Sequence, residues 1–159
     1  MFAMAGAREA HNLIAVNLLA GIHAELRSRA CRAYGSDMRV RVSPTGLFTY
    51  PDVVVVCGPP QFLDDQRDTL LNPTLIAEVL SPSTEAFDRG RKFEHYRSLE
   101  SLAEYLLVGS QRVSAELYTR QADGRWLLTA ANSLEDTLDL PATGCRLPLA
   151  EIYEKVEFV

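Results

Sequence analysis

Among the residues of this chain, Glu78 carries the strongest chemical signal. It lies inside Leu75-Ile76-Ala77-Glu78-Val79-Leu80, where every neighbour is apolar. In an extended strand Ile76, Glu78 and Leu80 share one face, so no register hides the carboxylate among polar neighbours. An ionised carboxylate left unpaired there costs several kcal/mol, so Glu78 must be protonated, paired or bound to a metal. A structural pair with an arginine or lysine is the alternative to a functional role. Asp52 stands at the mouth of another apolar run, Val53 to Cys57, and follows Pro51. Alone it reads as an ordinary turn residue. If the two runs are adjacent strands, an entry carboxylate and a mid-strand carboxylate converge, and two hard oxygen donors suit Mg2+ or Mn2+. Lys92 completes the set from the helix that follows, on one stripe with His95 and Tyr96. Its apolar stem can run along the core and deliver an ammonium beside the acids; a solvent lysine amid Arg89, Arg91 and Arg97 is the alternative.

The elements that must position these groups follow from hydrophobic periodicity. Leu13, Ile14, Val16, Leu18, Leu19, Ile22 and Leu26 predict a long helix from Ala10 to Arg29, with Arg27 and Arg29 complementing its C-terminal dipole. Met38, Val40 and Val42 alternate with Arg39 and Arg41, a half-exposed strand that Pro44-Thr45-Gly46 turns back into Leu47 to Tyr50. The β-branched run Val53 to Cys57 reads as a strand covered on both faces. Residues 61–73 are polar and acidic, a surface loop with at most a helical turn. Thr74 to Leu80 is a second buried strand. Ser81-Pro82 fits a helix N-cap followed by proline at the first position, and a helix is expected over about Asp88 to Leu99. Tyr105 to Val108, Val113 to Arg120 and Trp126 to Ala130 predict three more strands, the last two joined across Ala122-Asp123-Gly124. A short strand near Cys145 to Leu147 precedes a helical stretch at Leu149 to Lys155. Strands mixed with a few helices define one α/β or α+β domain around a mixed sheet.

Composition bounds the function classes. The 159 residues leave room for one domain, and 47% hydrophobic with 23% charged is ordinary for a soluble globular chain. Sixteen basic against twenty-one acidic residues give a net charge of -5, which argues against wholesale coating of nucleic acid or anionic membrane but leaves room for a local basic patch. The sequence has no basic leader before an apolar run, and Ala10 to Ala24 falls short of a membrane span, so a cytoplasmic protein is expected. Cys31, Cys57 and Cys145 form no Cys-x-x-Cys pair and are expected to be three separate thiols. Asp37, in Gly35-Ser36-Asp37, reads as a turn residue, with a supporting role at the site as the alternative. Ser81 and Ser83 with His95 lack the glycine-flanked elbow of a serine hydrolase. Asp64, Asp65 and Asp68 lack the spacing of a calcium loop.

Pro51-Asp52, Ile76-Ala77-Glu78-Val79-Leu80-Ser81-Pro82-Ser83-Thr84, Asp88-Arg89-Gly90-Arg91-Lys92-Phe93, His95-Tyr96-Arg97 and Glu104-Tyr105 together resemble the Uma-type restriction-endonuclease-like family of the PD-(D/E)XK nuclease superfamily. The resemblance implies a restriction-endonuclease-like core over residues 1–159, with Asp52 and Glu78 as metal ligands, the Val79 carbonyl assisting, and Lys92 as the catalytic cation. It implies Mg2+ (or Mn2+) as cofactor, DNA as substrate and a homodimer or higher homo-oligomer, because one small site cuts one strand. Two departures stand out. The superfamily's usual lysine position, two after the glutamate, is Leu80 here, so the lysine must come from the helix. The chain also opens at Met1-Phe2-Ala3-Met4-Ala5-Gly6 where relatives carry an earlier acidic strand or hairpin, which leaves a truncated start open. His11 belongs to the family-like helix start; it is expected on the helix surface, with a place facing the site as the alternative. Arg89, with Arg39, Arg41, Arg91 and Arg97, is a candidate phosphate contact. The rival is a nuclease-fold module without catalysis that binds nucleic acid or serves assembly.

Overall fold

In the computed structural model, which describes residues 7–159, the first element is helix α1 (Glu9–Glu25). Strands β1 (Cys31–Tyr34), β2 (Arg39–Val42), β3 (Leu47–Thr49), β4 (Val53–Cys57), β5 (Thr69–Leu70) and β6 (Leu75–Val79) follow. Two short helices, α2 (Glu85–Arg89) and α3 (Arg91–Arg97), lead into β7 (Glu104–Val108), β8 (Ala115–Arg120), β9 (Trp126–Ala131), β10 (Thr137–Leu140), β11 (Cys145–Pro148) and α4 (Leu149–Ile152). The main sheet has six strands in the order β1-β4-β6-β7-β8-β9, antiparallel except for the β6–β7 pair, which α2 and α3 connect. A three-stranded sheet, β3-β2-β5, and the β10–β11 hairpin complete the β structure. It is the mixed α+β architecture expected.

Alternation along the central strands feeds two separate cores. On one face Val53, Val55, Leu75 and Ala77 meet Ile14, Leu18 and Ile22, one stripe of α1. On the other, Val54, Val56, Ile76 and Leu80 meet Val40 and Val42 of β2 and Phe93 and Tyr96 of α3. β4 and β6 are therefore apolar on both sides, which is why Val53 to Cys57 reads as an unbroken run. Glu78 follows the pleat of Ile76 and Leu80 and so belongs to the second face.

Several expectations need correction. Helix α1 stops at Glu25: the Leu26 amide donates to both Ile22 and His23 carbonyls, the chain turns, and Cys31 enters the sheet. Arg27 and Arg29 thus lie past the helix, and His23 is the basic residue of its last turn. The 61–73 segment contains β5, which pairs parallel with β2. The helix expected over Asp88 to Leu99 is two helices broken at Gly90, whose ψ of -93° leaves the helical region. Ser81 is not an N-cap; it begins a turn, the helix starts at Glu85 after Thr84, and the Ser81 carbonyl accepts the Thr84 and Glu85 amides. β10 is an additional strand, paired with β11 across the turn 141–144 that ends at positive-φ Gly144.

The cysteines also differ from expectation. Cys31 and Cys57 are directly opposed in the antiparallel β1–β4 register and form a disulfide. The Gly58 amide bonds the Ala30 carbonyl just outside them, so this is a non-hydrogen-bonded pair, the kind in which side chains approach most closely. Cys145 alone is free, and it is buried. The segment Met1 to Gly6, where an earlier acidic strand was at issue, lies outside the described residues. No helix among the described residues is long and apolar enough to cross a membrane.

Candidate active site

The β4–β6 ladder runs from Val55↔Leu75 to Val53↔Ala77. One step further, Asp52 and Glu78 stand opposite each other and side chains replace the backbone bonds. The Asp52 amide donates to Glu78 Oε1 at 3.1 Å, and the Val79 amide donates to Asp52 Oδ2 at 2.8 Å. Each acid thereby anchors the strand that carries the other. Glu78 is 3% exposed; Asp52, at the strand mouth, keeps 19% of its side chain accessible.

Helix α3 brings Lys92 against Glu78 Oε2 as an ion pair. The same ammonium lies 3.4 Å from Asp88 Oδ1, one helical turn earlier. Asp88 is a buried acid whose backbone carbonyl accepts the Tyr105 hydroxyl at 2.8 Å. Tyr96, four residues after Lys92, donates its hydroxyl to Glu78 Oε2 at 3.3 Å and sits 2.9 Å from Thr49 Oγ1 of β3. From the N-terminus of α1, His11 places Nε2 3.5 Å from Asp52 Oδ2, while its Nδ1 is buried with no partner among the described residues.

Burial dominates the electrostatics. It pushes the Glu78 carboxyl up to about 7, against the downward pull of Lys92 and with an upward push from Asp52. Asp88 is likewise raised, mainly by burial. Burial pulls the Lys92 amine down, but Glu78 and Asp88 together outweigh it and hold it above its ordinary value. His11 is raised by its hydrogen bond to Asp52, against burial.

Asp52, Glu78 and Lys92 are thus brought together, with Val79 bonded to Asp52 through its amide. His11 joins them rather than lying on the helix surface, because it sits in the first turns of α1, beside the open end of β4. Asp37 does not join: it is exposed in the turn between β1 and β2. Arg89 points elsewhere, to Glu85 at 2.8 Å and Glu116 at 2.7 Å. Asp88 and Tyr96, which the sequence offers only as parts of the family-like motif and, for Tyr96, of the Lys92 stripe, join the site as well, as does Thr49. The spacing of Asp88 to Lys92 (i, i+4) was the available signal for the first.

Among the described residues, no group of three or more His, Cys, Asp or Glu is arranged to hold a metal. Mg2+ takes one or two carboxylates and keeps several waters; Asp52 at the strand mouth is accessible enough for that demand, whereas Glu78 is buried with Oε1 on the Asp52 amide and Oε2 on Lys92 and Tyr96, so it could serve as a second ligand only if one of these partners gave way. A cation there would also offset the desolvation that raises Glu78.

The mixed sheet thus ends in an interlocked Asp–Glu pair with a helix-borne lysine beside it. Residues 1–150 match the family Uma2, described as "Putative restriction endonuclease", and the chain belongs to that family. It is 36% identical over 160 residues to Uncharacterized protein slr1290 of Synechocystis, covering 99% of this chain and 82% of that protein. It is 39% identical over 126 residues to Uncharacterized protein sll1609 of the same organism, covering 79% and 71%. A crystal structure from Anabaena variabilis, described as a putative nuclease belonging to DUF820, superposes with a TM-score of 0.76 at 13% identity, covering 98% of this chain and 87% of that one. That likeness concerns the fold.

Proposed function

We propose that this protein is a metal-dependent endonuclease that hydrolyses phosphodiester bonds of DNA. The observation that carries the reading is the reciprocal bonding of Asp52 and Glu78 with Lys92 seated on Glu78. Asp52, Glu78 and the Val79 carbonyl are the groups that would hold Mg2+ or Mn2+, which supplies phosphate polarisation and a bound water of lowered pKa. Lys92, held above its ordinary pKa by two acids, is protonated at neutral pH. Its role is therefore that of a cation that donates hydrogen bonds to the attacking water or to charge developing on the phosphate, rather than that of a base. Asp88 keeps the ammonium in place from the other side. Tyr96 fixes one Glu78 oxygen, and His11 orients Asp52. A homodimer would set two such sites on the two strands where paired and unpaired segments meet.

Plasmid cleavage with Mg2+ or Mn2+ tests the reading. Glu78→Gln and Lys92→Ala should each lower the rate at least about 100-fold, about 2.7 kcal/mol of barrier. Cutting that survives in Glu78→Gln refutes the assignment. No cutting with any divalent metal favours the non-catalytic nucleic-acid-binding reading. Calorimetry with Mn2+ alone should show binding that weakens in Asp52→Asn, and sedimentation velocity reads the oligomeric state.

A further inference from the structure

The β2–β3 hairpin has two unlike faces. Inward, Val40 and Val42 are fully buried and Thr49 reaches Tyr96 in the site. Outward, Arg39 and Arg41 alternate with them, Phe48 stands directly opposite Arg41 in the register, and Tyr50 follows two residues later. Phe48 and Tyr50 are 45% and 59% exposed. Both guanidiniums lie over the Phe48 ring, at 4.8 Å for Arg39 and 5.6 Å for Arg41. Arg39 also donates to Thr69 Oγ1 at 2.8 Å and has the exposed Asp68 at 3.9 Å. Arg41 is half-buried, and its Nε has no partner among the described residues. In a chain of net charge -5, such a concentration of cation and ring calls for a ligand with negative charge and flat faces.

We infer that the outward face of this hairpin, formed by Arg39, Arg41, Phe48 and Tyr50, is a platform for single-stranded DNA. Unpaired bases stack on the two aromatics, and the adjoining phosphates pair with the two guanidiniums. The inference deepens the nuclease reading and rests on it for the choice of polymer. Position supports it: Phe48 lies four residues before Asp52, at most about 14 Å along an extended chain. A strand with its phosphate at Asp52 therefore reaches the platform within about four nucleotides at ~3.4 Å each. A duplex hides its base faces inside the stack and offers the rings nothing to cover, so the platform discriminates for unpaired segments.

Fluorescence anisotropy tests this in EDTA, where binding is separated from cutting. The probes are a labelled oligothymidylate of about 16 nucleotides and a mixed-sequence duplex of equal length. The wild type should favour the single strand. Phe48→Ala should weaken that binding roughly 5- to 150-fold, the effect of losing one stacked base, while Phe48→Trp retains it. Arg41→Gln should reduce the salt slope by about 0.7. Tyr50→Ala is the second probe if Phe48→Ala lowers the melting temperature. Single-strand affinity unchanged within about twofold in both alanine variants, a preference for duplex, or no single-strand binding at all overturns the platform. Binding as expected without any cutting in Mg2+ sinks the nuclease reading alone, whereas cutting with no Phe48 effect on binding sinks the platform alone.

Discussion

Replacing Lys92 with methionine tests the electrostatics of the site without reference to any reaction. The stem is conserved in length and apolarity, and only the cation is lost. Two buried acids, Glu78 and Asp88, then lose the charge they share. Breaking a buried pair in this way costs about 3–5 kcal/mol, out of a total of about 5–15 for a domain. With a urea slope near ~2 kcal/mol per M, the unfolding midpoint should fall by ~2 M. The loss must also depend on pH. Glu78 already has a folded pKa of about 7, above its unfolded value of about 4.3. Its contribution to folding is therefore fully present below the unfolded value and lost as pH rises through the folded one. Removing Lys92 takes away two influences that lower this pKa, so the deficit of the variant should be small near pH ~4.5 and grow through neutrality. In Lys92→Met/Glu78→Gln the two effects should fail to add, because the acid that needed the cation is gone. Urea titrations followed by circular dichroism at about pH 5 and about pH 8 supply all four corners of the cycle. A loss under about 1 kcal/mol at about pH 8, or one equal at both pH values, would refute the shared-cation account.

Three other outcomes are expected. Reducing the Cys31–Cys57 bond, which closes a separation of 26 residues, should cost about 3–4 kcal/mol by release of loop entropy, read as a lower urea midpoint in dithiothreitol that Cys31→Ser does not show. Glu104 is fully buried, accepts the Ala142 amide and the Thr143 hydroxyl, and is raised in pKa mainly by burial. Its contribution thus falls as pH climbs from the ordinary glutamate range through its raised value, and Glu104→Gln should unfold with a flatter pH dependence than the wild type. Tyr96→Phe removes the hydroxyl between Thr49 and Glu78 and should lower stability by about 1 kcal/mol, measured as the same midpoint shift.

The sequence made legible whatever depends on neighbours along the chain. The Arg39/Val40/Arg41/Val42 alternation, the turn at Gly46 and the valine run of β4 are local patterns, and each element formed where its pattern lay. Glu78 was conspicuous because an apolar strand offers a carboxylate nothing nearby. What stayed hidden depends on pairing across distance. Cys31 and Cys57 look unrelated until β1 is placed beside β4. His11 reads as a helix-surface residue until α1 is laid so that its first turns end at Asp52. The break at Gly90 was concealed because a glycine is tolerated within a helical pattern; here its amide still bonds the Ala86 carbonyl while the backbone turns away, and an added Cβ would lie 3.2 Å from that carbonyl. Asp88 is inconspicuous in the sequence because a charged residue amid arginines resembles a solvated surface, although Tyr105 and Lys92 of α3 hold it.

The crossed bonds between Asp52 and Glu78 give both acids a second duty, that of holding two diverging strand ends together. Truncating either side chain strips a hydrogen bond from the opposite backbone as well as a carboxylate from the site, so an alanine variant assayed for the proposed cleavage would confuse a sprung sheet with lost chemistry. An amide in place of the acid keeps an oxygen to accept the amide proton while discarding the charge. For this chain the isosteric substitution, rather than deletion, separates architecture from reactivity.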